Sequence, residues 1–196
     1  MQTYSHFLIT AVLGDRLKKK EITFSNKALL VGSFLPDIPL FLLTIGYFVY
    51  RQTNAAISDD FIFGPNYDQL YFENPWWILG HNLFHAPLLI LLYGVIGWFA
   101  WRRGRPWGLV LLWFAIGCGL HSIIDIFTHV DDGPVLFFPL NWSYRFSAPV
   151  SYWDPEHGGR IFGPLEHLLV LILLIYFLLN WIRNRRFKKA NLHTNP

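Results

Sequence analysis

The sequence predicts an all-α protein, a polytopic membrane bundle of four transmembrane helices with a short, partly inserted helix at the N-terminus. Three observations carry that expectation. Hydrophobic residues make up 53% of the 196 and charged residues only 15%, a balance that suits a chain solvated by lipid. Four apolar runs reach the roughly 20 residues needed to cross a bilayer. Of the 16 basic residues, 13 fall in three short clusters that share one side if those runs alternate in direction.

The first element, from about Thr3 to Gly14, is apolar but short. It has no basic segment before it and no small-residue cleavage site after it, so it reads as a retained helix and not as a removable signal peptide. The spans follow at about 28–50, 77–101, 107–130 and 164–182. In the first, Pro36 and Pro39 of "GSFLPDIPL" are expected to interrupt the helix and free backbone carbonyls. No repeat or composition break divides the chain, so residues 1–196 read as a single membrane-embedded domain.

The charges give an orientation. Arg16, Lys18, Lys19, Lys20 and Lys27 follow the first helix; Arg102, Arg103 and Arg105 separate the second and third spans; Arg183, Arg185, Arg186, Lys188 and Lys189 end the chain. Loops 51–76 and 131–163 carry an acidic excess. The expectation is a multi-pass protein of the cytoplasmic (inner) membrane with basic loops and C-terminus in the cytoplasm. Tyr47, Tyr50, Trp76 and Trp77 then form one interfacial belt, and Trp98, Trp101, Trp107 and Trp181 the other.

The same charges weigh against nucleic acid as a partner, because they sit in juxtamembrane clusters without aromatic stacking platforms; anionic lipid heads are the simpler contact. The single cysteine, Cys118, excludes an intramolecular disulfide and a Cys-based metal site. His193, in the polar tail, is assigned no role.

Charged groups in hydrocarbon cost about 2.5–3.5 kcal/mol each, and those that persist usually face a bundle interior with a partner. Here they are Asp37 in the first span, His81 and His85 of "HNLFH" in the second, and His121, Asp125 and His129 of "GLHSIIDIFTH" in the third. Counting about 1.5 Å per residue from the basic loops puts Asp37, His121 and His85 in the middle to outer half, with His6 on the N-terminal helix near the level of Asp37. Residues four apart share a helix face, so His81 with His85, and His121 with Asp125, can each aim two ligands at one point.

Imidazoles and a carboxylate bind Zn(II), or with more carboxylate Mn(II) or Fe(II), and a bridging carboxylate extends one ion to two. The alternative is a polar network of interhelical hydrogen bonds. Asp37 is either a ligand or the cap of a broken helix. His129, one turn nearer the surface, is either a ligand or general base or an interfacial histidine bonded to Asp131 or Asp132. Glu166 and His167, placed at the start of the fourth span, either cap that helix or close the site. Loop 131–163 is long and aromatic enough for a lid, with Arg145 or Arg160 holding a phosphate, or for a loop resting in the headgroup layer. Ser122 lacks the Gly-x-Ser-x-Gly elbow of a nucleophile.

Ser5-His6, then "GSFLPDIP", "HNLFH" and "HSIIDIFTHVDDGPVLFFP" resemble, in order and number, the motifs of the inner-membrane metal-dependent hydrolase family, also described as LexA-binding, inner-membrane-associated hydrolases. That family is distantly similar to zinc-dependent phospholipase C. The resemblance runs from residue 5 to about 140. It implies His6, Asp37, His81, His85, His121 and Asp125 as metal ligands. Pro39 stands where the family turn has a second acidic residue, which removes a carboxylate that a second ion would use. Asn82, Phe84 and Ala86 replace an Arg, a Thr and a Ser and mark a divergent branch.

The function expected is metal-dependent hydrolysis of a phosphoester or related bond in a membrane lipid or lipid-like substrate. One or two divalent ions, zinc first, with Mn or Fe as alternatives, would activate water, with Asp125 and His129 in the catalytic roles and the site facing the outer half. The alternative, of another class, is a non-catalytic membrane protein: a haem carrier, a proton or ion path, or a binding scaffold with a structural metal or polar network. A membrane di-iron oxygenase fits less well, because the chain has no adjacent His-His pair.

Overall fold

Proline sets half of the α-helix starts among the described residues. In the computed structural model, which describes residues 1–53, 61 and 63–192, Pro65, Pro75, Pro87 and Pro106 each occupy the first turn of a helix, where the missing N–H is no loss and φ is already helical. His193 lies outside the described residues. The chain is all-helical apart from one isolated β-bridge, Val135 to Arg145, among the described residues.

Helix α1 spans Thr3–Lys19 and runs past the expected end at Gly14. Lys19 Nζ pairs with Asp15 Oδ2 at 2.7 Å one turn back, and basic residues suit the negative end of a helix. Helices α2 (Asn26–Phe34) and α3 (Asp37–Thr53) are separated at Leu35–Pro36, as the prolines predict. Taken together, 26–53 is one of three stretches long and apolar enough to cross a membrane. Helix α4 (Pro65–Glu73) lies in what the sequence presents only as a connecting loop.

The second expected span is two helices, α5 (Pro75–Asn82) and α6 (Pro87–Arg102), bent by 46° at the break. Pro87 is the cause: it drives Ala86 to ψ 121° and out of the helical region. Helix α7 (Pro106–Thr128) is an unbroken span. Helix α8 (Gly159–Leu192) begins five residues before the expected start at 164 and contains Pro164. It begins there because Gly158, at φ 86°, closes the preceding turn and its carbonyl accepts the N–H of Phe162. Glu166 and His167 therefore sit within α8 and do not cap it. Counting the bent pair as one, the spans number up to four.

Helix α7 is the centre of the bundle, packed mainly against α6 and α2. Glycine permits the approach. A Cβ on Gly117 would lie 2.2 Å from the Leu29 carbonyl oxygen, and one on Gly32 would lie 2.2 Å from that of Phe114. Small residues allow helices to meet backbone to backbone where lipid gives no hydrophobic drive. The consequence is positional: the face of α7 bearing His121 and Asp125 is pressed against the broken end of α2.

The segment after α7 folds back over the α5–α6 break. Asn82 Oδ1 accepts the Val135 N–H at 2.7 Å, and Val135 and Phe138 pack on Ile78 and Ala86. Tyr152 N–H donates to the Thr128 carbonyl at 3.0 Å, so residues 129–152 close a loop over one end of the bundle.

Candidate metal centre

The two helix breaks bring the polar groups together. Asp37 is the first residue of α3, His85 lies in the gap between α5 and α6, and His121 and Asp125 face them one turn apart on α7. Backbone carbonyls freed by those breaks then orient the imidazoles. His85 Nδ1 lies 2.9 Å from the His81 carbonyl, and His121 Nδ1 lies 2.8 Å from that of Ser33. A carbonyl only accepts, so each Nδ1 carries the proton, and each ring, when neutral, presents an Nε2 lone pair. Those two Nε2 atoms lie 2.9 Å apart. Two acceptors at that distance repel unless a proton or a cation lies between them.

Two carboxylates complete the group. Asp125 Oδ2 is 2.9 Å from His121 Nε2 and 3.4 Å from His85 Nε2. Asp37 Oδ1 is 3.3 Å from His121 Nε2 and 3.6 Å from His85 Nε2. All four donor atoms lie within 4.8 Å of one another, and His85, His121 and Asp125 are buried. A tetrahedral ion with bonds of 2.0–2.1 Å holds its donors about 3.3 Å apart. The measured separations bracket that value, so the residues present can hold a metal ion.

The second oxygen of Asp125 faces another set. Oδ1 is 3.0 Å from His6 Nε2, 3.6 Å from His129 Nε2 and 2.8 Å from the Met1 amino group. The His6 ring stacks on His121 with centroids 3.8 Å apart. Asp125 thus stands between two nitrogen sets, one for each oxygen. The first turn of α1 closes the site from the side, with Thr3 Oγ1 donating to Asp37 Oδ2 at 2.5 Å and Gln2 N–H to Glu166 Oε1 at 2.7 Å.

His129 Nδ1 meets Asp132 Oδ1 at 2.9 Å, and Trp153 Nε1 donates to Asp132 Oδ2 at 2.9 Å. Burial would raise the Asp132 carboxyl, but His129 and Trp153 outweigh it and hold the group below its usual value. A cavity of about 680 Å³ runs from this centre towards the loops, lined by Asp37, His81, His85, Asp125 and His129 at its base.

The chain matches the family described as YdjM inner membrane protein over residues 1–187. It belongs to that family. No curated protein and no solved structure matches it. YdjM membership covers nearly the whole chain, and the buried His and Asp residues give this YdjM protein a group that can take a metal ion.

The other sequence-derived candidates are dispersed. His81 lines the cavity but stands outside the four-residue group, its Nδ1 3.1 Å from the Tyr71 hydroxyl. Arg145 Nε donates to the Gly133 carbonyl and its guanidinium lies over the rings of Tyr71 and Phe72; neither it nor Arg160 is among the described residues lining the cavity. Glu166 holds Gln2, and His167 meets the Tyr4 hydroxyl at 3.2 Å on an exposed face. Of the outer loop, Asp131, Asp132, Tyr152 and Trp153 do line the cavity. The sequence reading assigns nothing to Thr3, Ser33 or Tyr71. Thr3 and Tyr71 act through contacts 34 and 61 residues distant, and Ser33 through its carbonyl, for which side-chain identity is no signal.

Proposed function

We propose that this protein is a membrane-embedded metal-dependent hydrolase that cleaves a phosphoester of a lipid-like substrate. The observation that carries the reading is the pair of Nε2 atoms 2.9 Å apart facing Asp37 and Asp125 on a cavity. His85, His121, Asp125 and Asp37 would hold a divalent ion, zinc by the nitrogen-rich donor set, with Mn or Fe as alternatives. Asp37, His85 and Asp125 line the cavity, which leaves that side open to a further donor. His6 and His129 on the far oxygen of Asp125 are the donors available to a second ion.

When bound, the ion supplies positive charge that polarises the scissile group and acidifies a water. The chain's own residues do the rest. Asp125 faces His121 and His6 from its two oxygens. His129, oriented by Asp132, holds or passes a proton at Nε2 on the cavity side. The family match supports the inner membrane, and the basic clusters support a cytoplasmic C-terminus, with the site in the outer half.

Metal analysis of the purified protein tests this, with His121→Ala and Asp125→Ala as controls. The expected result is a bound divalent ion in the wild type, lost with its phosphodiesterase or phosphomonoesterase activity in both variants. A wild type that binds no divalent ion, or folded variants that keep full activity, would overturn the reading. A polar network without metal is the competing account, and metal content separates the two.

A further inference from the structure

The cavity has a chemical polarity that the metal centre does not explain. Its described lining includes five carboxylates, Asp37, Asp68, Asp125, Asp131 and Asp132, and no lysine or arginine. The metal centre takes Asp37 and Asp125, and Asp132 is engaged by His129 and Trp153. Asp68 and Asp131 are exposed and form no ion pair among the described residues. The same cavity has an aromatic wall. Phe63 meets Tyr67 edge to face at 5.1 Å, Phe61 meets Phe63 at 6.2 Å, and Phe72 extends the wall past Tyr71. The wall already serves as a cation surface on one flank, where the Arg145 guanidinium lies 5.0 Å from the Phe72 ring centroid.

A second, independent feature is a buried acceptor. Tyr71 has one hydroxyl proton, and it goes to the Asp132 carbonyl at 2.5 Å. Towards His81 the hydroxyl is therefore an acceptor, and His81 Nδ1 carries the proton. His81 Nε2 is then a lone pair without a partner among the described residues, on a side chain 6% exposed that lines the cavity. A donor on a ligand in the cavity would pair with it.

We infer that the cavity selects substrates carrying an ammonium group beside an apolar body, with the ammonium held by Asp68, Asp131 and the ring faces and an N–H reaching His81 Nε2. An ammonium-bearing phosphoester headgroup supplies a charge partner for the two exposed carboxylates and a donor for His81 Nε2. An anionic headgroup would bring a like charge up to the exposed Asp68 and Asp131. The assignment rests on the hydrolase reading for the bond that is cut, but the ammonium site exists with or without turnover.

The test uses full-length protein in nanodiscs of neutral glycosyl lipid, with hexylammonium as probe and hexan-1-ol as its uncharged counterpart, followed by calorimetry. The expected result is a preference for hexylammonium of about tenfold or more, lost in the Asp68→Asn/Asp131→Asn variant with metal content unchanged. Equal affinity for the two probes, or no effect of the double substitution, overturns the inference. In discs of phosphoethanolamine lipid the headgroup should compete and weaken hexylammonium binding; unchanged affinity there overturns the lipid form of the ligand. Turnover without headgroup preference or ammonium binding sinks this inference and leaves the hydrolase intact. Ammonium binding without turnover under any metal does the reverse.

Discussion

His85 and His121 turn their Nε2 atoms towards one another at 2.9 Å, while each commits its Nδ1 proton to a carbonyl released by a helix break. The breaks at Leu35–Pro36 and at Leu83–Ala86 are therefore parts of the site. They supply the oxygens that fix both tautomers, so the rings reach the centre already oriented.

Because that centre is preorganised in the folded state, metal and stability are linked. A ligand that binds only the folded form adds RT ln(1 + [L]/Kd), about 2.7 kcal/mol at one hundred times Kd. Zinc added to chelated protein in detergent should raise Tm in a concentration-dependent way, and His85→Ala should abolish the increment. A Tm indifferent to zinc over a range that loads the wild type would contradict the linkage.

The contact between α2 and α7 should tolerate no side chain. Gly117→Leu forces atoms into a space where even a Cβ would lie 2.2 Å from the Leu29 carbonyl oxygen. Relief requires the helices to separate, which also moves His121 away from Ser33. We expect a loss of more than about 3 kcal/mol, at or beyond the upper end of overpacking, read as a lower midpoint in detergent unfolding. Gly46→Ala, where a Cβ meets nothing within 4 Å, is the control and should be close to neutral.

Asn82 is a second dependency that function alone does not reveal. It is fully buried, donating Nδ2 to the Ile78 carbonyl at 2.8 Å and accepting the Val135 N–H at 2.7 Å. Asn82→Leu leaves that N–H unpaired, at a cost of about 1–3 kcal/mol. Amide exchange at Val135 and Leu136 should quicken ahead of exchange in α7.

The sequence made the spans legible because hydropathy is additive along a chain, and it exposed His121 and Asp125 because polar residues at a spacing of four in an apolar run are costly. It also showed the first helix break, since Asp37 stands between two prolines. The second break was present in the same terms, as Pro87 two residues after His85, but the apolar run on either side masked it. Helix α4 was obscured by its mixed composition. The separation of His81 from His85 could not be read, because it depends on Tyr71, ten residues earlier and on another helix. Arg145 resembles a phosphate ligand by type alone, whereas its guanidinium lies over the rings of Tyr71 and Phe72, behind the cavity wall and not among the described lining residues.

Asp132 offers the sharpest test of how His129 works. The carboxylate lies 2.9 Å from His129 Nδ1 and accepts the Trp153 indole N–H at 2.9 Å, while His129 Nε2 faces Asp125. If His129 moves a proton, Asp132 is a positioning residue that sets its ring angle and tautomer. Asp132→Asn keeps the shape and the Trp153 contact while weakening the hold on Nδ1. It should lower kcat by about tenfold to a hundredfold, within the range that a single proton-transfer group contributes, with KM and bound metal per chain unchanged. Trp153→Phe, which removes only the indole donor, should give a smaller loss in the same direction. A fall in metal content in parallel with kcat would instead make His129 a ligand and Asp132 its orienting partner.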